Sequence, residues 1–171
     1  MDNQKEEILQ KIEEAEYVLV GLGQEFDMEF FLQSREDYRR IREQLQQQNV
    51  LWLLPYVEAQ FRKQYMPEME AEIEKGLQKL AKVLEKKSYF VVSSSMNHKL
   101  AEVPWKKMLL KKERFVAPCG DWTKKQCPDG CEEGIQTVTE ADEEQLQESF
   151  KKLQTNGFSV PDLGKCPKCG K

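Results

Sequence analysis

Apolar residues recur along this chain in two rhythms, one of helices and one of short strands. Ile8, Leu9, Ile12 and Ala15 form a one-face stripe that predicts a first helix, with Asp2 or Asn3 placed to cap it. The stripe runs into Tyr17-Val18-Leu19-Val20-Gly21, a continuous apolar run that suits a strand covered on both faces, as in a parallel sheet. Helical rhythm then returns. Ser34 is placed to cap a helix carrying Tyr38, Ile41 and Leu45, and an aromatic-rich helix is expected around Leu51 to Phe61. A long helix begins near Pro67 and carries Ile73, Leu77, Leu80 and Leu84 on one face. The run Gln46-Gln47-Gln48 reads as a helix end.

Two further apolar runs read as strands. Tyr89-Phe90-Val91-Val92 ends in Ser93-Ser94-Ser95-Met96-Asn97-His98, and Arg114-Phe115-Val116-Ala117 ends in Pro118-Cys119-Gly120-Asp121-Trp122. Beyond these the composition turns to cysteine, glycine and charge, and one more helix carries Leu146, Phe150 and Leu153. Three strands alternating with helices predict an α/β parallel sheet. Ligands of such sheets gather at the carboxyl ends of the strands.

The 171 residues can bury a real core. A net charge of −4 argues against a nucleic-acid partner, including the zinc-ribbon kind, because phosphate binders concentrate positive field. The basic run Lys106, Lys107, Lys111, Lys112 and Arg114 reads as a solvated face. No stretch has the roughly 18–20 apolar residues needed to span a bilayer, and the N-terminus lacks the apolar run of a signal peptide. The expected compartment is therefore the reducing cytoplasm.

Cysteine changes the picture most. Cys127 and Cys131 form C-x3-C, and Cys166 and Cys169 form C-x2-C, with 34 residues between the pairs. Pro128, Gly130, Pro167 and Gly170 supply the residues of tight turns. Four thiolates complete the tetrahedral shell of zinc and leave no open position, so the expected metal is structural. Two disulfides, scattered core thiols or an iron–sulfur cluster are the alternatives. The reducing compartment, the pairing and the turns favour zinc. The fifth cysteine, Cys119, reads either as an inert residue beneath a strand end or as a reactive thiol with His98 for a neighbour. Trp52, Trp105 and Trp122 are expected in the core or in a cleft wall.

The stretches VLVGLGQEF, SSSMNHKL, APCGDW, QCPDGC and KCPKCG, in that order and spacing, resemble the sirtuin family, and most of all its microbial, macrodomain-associated branch. The resemblance implies a partial Rossmann-like, sirtuin-type parallel sheet over residues 1–118. A helical insertion would occupy about 24–87, and a small zinc-binding module 119–171. It implies NAD as a cofactor, held by Gly21, Gly23, Ser95, Asn97, Gly120 and Asp121, and a deacylase or ADP-ribosyltransferase reaction at Cys119, Asn97 and His98. An acylated or ADP-ribosylated protein would be the substrate.

The sequence also departs from the family. Gln24, Glu25 and Phe26 follow the glycines where small residues belong. Ser95 replaces an asparagine and Asn97 an aspartate, and Cys119 stands where the family has its histidine or the branch its glutamine. A thiol is a poor base near neutral pH. The expectation is therefore a sirtuin-like domain with degenerate chemistry that acts as a binding or partner-dependent module. The chain ends two residues after Cys169, ahead of the strands that in sirtuins bind the adenosine half of NAD. Tyr17–Gly21 is accordingly expected as an open apolar edge, covered by a partner chain, covered by a second copy, or left bare in a decayed remnant.

Overall fold

The computed structural model describes residues 2–27, 29–100, 114–120 and 123–171. Trp105, Asp121, Trp122 and the basic run from Lys106 to Lys112 lie outside the described residues, as does the His98 side chain. The fold is mixed α/β, with a three-stranded parallel sheet, a group of helices and a small cysteine-bearing region.

Helix α1 (Asp2–Glu14) leads through Ala15 and Glu16 into strand β1 (Tyr17–Leu22). Helices α2 (Glu29–Gln33), α3 (Glu36–Gln47), α4 (Leu54–Tyr65) and α5 (Pro67–Leu84) follow, then β2 (Ser88–Ser93) and β3 (Phe115–Val116). Strands β4 (Lys124–Lys125) and β5 (Gln136–Thr137) pair antiparallel, and α6 (Glu140–Gln154) is the last helix among the described residues. β1 pairs with β2 from Tyr17↔Ser88 to Leu22↔Ser93, and β2 pairs with β3 at Val91↔Phe115 and Val92↔Val116.

Local chemistry explains the helix ends. Pro67 opens α5, where its missing N–H costs nothing, and Glu68 and Glu70 sit in the first turn against the positive end of the dipole. Asn49 takes a left-handed φ of 57° just past α3, so the glutamine run does end a helix there. Thr139 and Asp142 form a reciprocal capping box at the start of α6. Ser34, by contrast, caps nothing: Arg35 holds the cap position of α3, and the Ser34 hydroxyl donates to the Phe31 carbonyl.

Two apolar clusters organise the chain. One joins Leu32, Tyr38, Ile41, Leu45, Leu53, Val57 and Phe61 of the helical stretch to Leu146, Phe150 and Leu153 of α6. The Phe61 ring packs edge-on against Tyr38 and Phe150, 5.6 and 5.9 Å between centroids. The other lies between α5 and one face of the sheet, where Leu77, Ala81 and Leu84 meet Leu22, Tyr89 and Val91.

The expectation that β1 is covered on both faces does not hold. Val18, Val20 and Leu22 face the α5 cluster, but Tyr17 and Leu19 remain 73% and 75% exposed. An uninterrupted apolar run carries no alternation, so it cannot report that one face is left uncovered. Trp52 is exposed rather than core.

Candidate metal centre and the strand ends

The cysteine-bearing region is built from two tight turns brought together by a hairpin and a helix. In the first turn the Gly130 N–H donates to the Cys127 carbonyl at 3.0 Å, and Gly130 has φ of +69°. In the second, the Gly170 N–H donates to the Cys166 carbonyl at 2.9 Å, with φ of +75°. Both glycines adopt the left-handed backbone that a side chain would strain, so the turn residues read from the sequence do that work.

Gly134 closes the cradle. Its N–H donates to the Cys131 carbonyl, its carbonyl accepts from the Cys127 N–H, and a Cβ there would collide with the Cys127 side chain and Cys166 Sγ. This glycine was not singled out from the sequence. The hint was its place three residues past the second cysteine, within an otherwise acidic stretch.

The four Sγ atoms of Cys127, Cys131, Cys166 and Cys169 lie within 4.8 Å of one another. Tetrahedral zinc with Zn–S near 2.3 Å requires sulfurs about 3.8 Å apart. The Cys127–Cys169 separation of 3.5 Å is far too long for a disulfide. As thiols the four are electrostatically unequal. The Cys169 backbone N–H, followed by that of Lys168, pulls Cys166 down to about 7, whereas burial and hydrogen bonds to the other three sulfurs push Cys131 up to about 12. A dication at their centre would relieve this conflict by pairing with every thiolate. The donor set, the spacing and the closed shell therefore fit a structural metal.

Charge ties this region to α6. The Lys125 ammonium reaches both Asp142 oxygens, at 2.7 and 2.9 Å, and the Leu163 carbonyl at 2.5 Å. Burial alone would raise the Asp142 carboxyl, but Lys125 and Thr139 outweigh it and hold it below the usual carboxylate range.

The second place of interest is the carboxyl end of the sheet. The Ser94 N–H donates to the Leu22 carbonyl, and Gly120, beyond β3, lies beside Met96. The three strand ends do come together. Their polar groups, however, are turned on one another. Ser95 is buried and donates its hydroxyl to Asp27 at 2.5 Å. Asn97 is buried, donates its amide to the Phe26 carbonyl and accepts from the Lys99 N–H at 2.9 Å.

The glycine turn behaves the same way. Glu25 folds back so that its Oε1 accepts from the Gly23 N–H at 3.1 Å, so the chain's own carboxylate occupies that donor. Gly21 is exposed, with open space around it. Cys119 is exposed as well, not sheltered beneath the strand end. Beside Phe26, a groove of about 630 Å³ runs along α5 over Met69, Ile73 and Leu77, flanked by Glu68 and Glu72. An apolar floor with a carboxylate rim is ill suited to a pyrophosphate.

A buried charge cluster lies behind Asp27. The Arg62 guanidinium, without solvent exposure, donates to the Asp27 carbonyl at 2.7 Å, with Glu70 3.3 Å and Glu58 3.9 Å away. Glu58 also accepts from the Tyr38 hydroxyl at 2.7 Å. Burial holds the Asp27 and Glu58 carboxyls above the usual range, against the pull of Ser95, Tyr38 and Arg62. The sequence reading missed this cluster, although Glu58 and Arg62 one helical turn apart in an aromatic stretch were its visible signal.

No helix among the described residues is long and apolar enough to cross a membrane. No family model matches the sequence. No curated protein is significantly similar to it.

Proposed function

We propose that this chain is a sirtuin-like domain organised by structural zinc, and that its work is binding a partner rather than cleaving NAD. The observation that carries the reading is a contrast. Four cysteine sulfurs gather within 4.8 Å in a closed set, while the glycine turn of the same chain is filled by its own Glu25. Zinc held by Cys127, Cys131, Cys166 and Cys169 would supply no reaction step. It would hold the two turns together, contributing on the order of 10 kcal/mol toward ordering a polar segment.

The residues that the resemblance assigns to NAD support the non-catalytic side. Ser95 and Asn97 spend their hydrogen bonds inside the protein, and an exposed thiol at Cys119 stands where an imidazole would act as base. Under the alternative, the chain is an active NAD-dependent deacylase or ADP-ribosyltransferase completed by a second chain, and the open edge of β1 is the observation that favours it.

Metal analysis of the purified chain is expected to find one zinc per molecule. Calorimetry with NAD is expected to detect no submillimolar binding, and no nicotinamide should be released over acylated peptides. Turnover of NAD by the chain alone would overturn the non-catalytic reading, and a metal-free chain with an intact fold would overturn the zinc reading.

A further inference from the structure

Among the described residues, the sheet carries an apolar cluster on one face only. β1, β2 and β3 run parallel and advance in one direction across the sheet. Right-handed crossovers between strands that advance one way fall on a single face. Accordingly α5, from the first crossover, and Leu100, from the second, share the cluster on the face of Leu22 and Val91. The register places Tyr17, Leu19, Phe90 and Val116 on the opposite face, and all four are exposed.

The edge is open as well. Among the described residues no strand pairs with the free side of β1. Tyr17–Leu22 has no charged residue and no proline, and its six positions pair with β2 without a bulge. Charge, proline and bulges are among the devices by which proteins guard an edge, and β1 carries none of the three. α1, which leads into β1, likewise leaves Ile8 and Leu9 exposed.

We propose that this edge is an interface between two copies of the chain. The β1 strands pair antiparallel about a two-fold axis, giving one six-stranded sheet, and α1 of each copy covers the outer face of the other. Symmetry favours a second copy, because an antiparallel pairing makes β1 its own complement and closes the assembly at two. Charge agrees. Keeping like faces together sets Glu16 opposite Leu22 or Gln24 of the other copy, so no like charges meet. Area agrees too. Ile8, Leu9, Tyr17, Leu19, Phe90 and Val116 present on the order of 600 Å² per copy, and the strand backbone adds to this, approaching the roughly 800 Å² per partner of a stable interface. The proposal rests on neither the zinc nor the NAD reading.

Sedimentation velocity of the zinc-loaded full chain tests it, across micromolar concentrations. The expected species has twice the 20.1 kDa chain mass. The double variant Tyr17→Lys/Leu19→Lys changes only exposed side chains, so circular dichroism and zinc content should be retained while the dimer dissociation constant rises at least tenfold. Hydrogen exchange supplies a second reading: amides of residues 17–22 should be protected in the wild type and exchange faster in the variant. A wild-type monomer at every concentration overturns the proposal. So does a dimer that the two lysines leave unchanged in affinity and in amide protection.

Discussion

The cysteine centre and the sheet's carboxyl end differ in what their side chains are left to do. At the first, four like groups that would repel one another when ionised are held within 4.8 Å, an arrangement that a cation would stabilise. At the second, unlike groups are already matched: Glu25 with the Gly23 N–H, Ser95 with Asp27, Asn97 with the Phe26 carbonyl. An arrangement in electrostatic conflict asks for a ligand, whereas one whose hydrogen bonds are satisfied internally does not. Of the two places, only the first gathers a donor set that fits a metal ion.

The strongest way to break that comparison is to remove a sulfur. Cys127→Ser is expected to lose most of the bound zinc and to lower the melting temperature by more than about 10 °C, read by metal analysis and thermal denaturation. If the variant melts like wild type, the centre is not what orders residues 123–171. Leu153→Ala separates metal from packing. It should cost about 2–5 kcal/mol in urea denaturation while zinc stays at one equivalent, because Leu153 is buried in the helical cluster and touches no thiolate. Lys125→Met comes next, at about 1–3 kcal/mol. It strands the Asp142 carboxylate, discounted because Lys125 keeps some contact with water.

Smaller effects sharpen the other side. Burial raises the Asp27 and Glu58 carboxyls, so the folded state holds their protons more tightly than the unfolded chain does. Their favourable contribution is complete below the ordinary carboxylate range and is lost as pH rises through the raised values. Asp27→Asn should therefore flatten the dependence of melting temperature on pH above the ordinary carboxylate range. The variant's gain in stability should appear on the alkaline side of the raised value and vanish in acid. Glu25→Ala should leave stability unchanged and free the Gly23 N–H. Calorimetry with NAD on this variant asks whether the turn is only plugged or is unfit altogether, and binding gained there would bring the two regions closer in kind.

Much of this architecture was legible in the sequence, and each gap has a physical reason. The stripes of α1, α5 and α6, the three strands and the paired cysteines are periodic or local signals, carried by residues a few positions apart. β1 misled because six apolar residues in a row look alike whether one face or two are covered. Ser34 misled because Arg35 adopts the extended cap backbone one residue later. The Arg62 cluster was invisible as a cluster because Asp27, Glu58, Glu70 and Ser95 meet only after the helices fold over the strand ends. Trp52 was placed by what its residue type usually does and is exposed instead, and of the two readings of Cys119 the sheltered one fails.

The folded-back Glu25 has a further meaning for any anion arriving from solution. A carboxylate tethered two residues from the N–H it engages behaves as a ligand at millimolar or higher effective concentration. An incoming phosphate would compete with a rival that never diffuses away. Its apparent dissociation constant would be divided by the small fraction of time the turn is left free, and so raised, however well the glycines themselves are shaped.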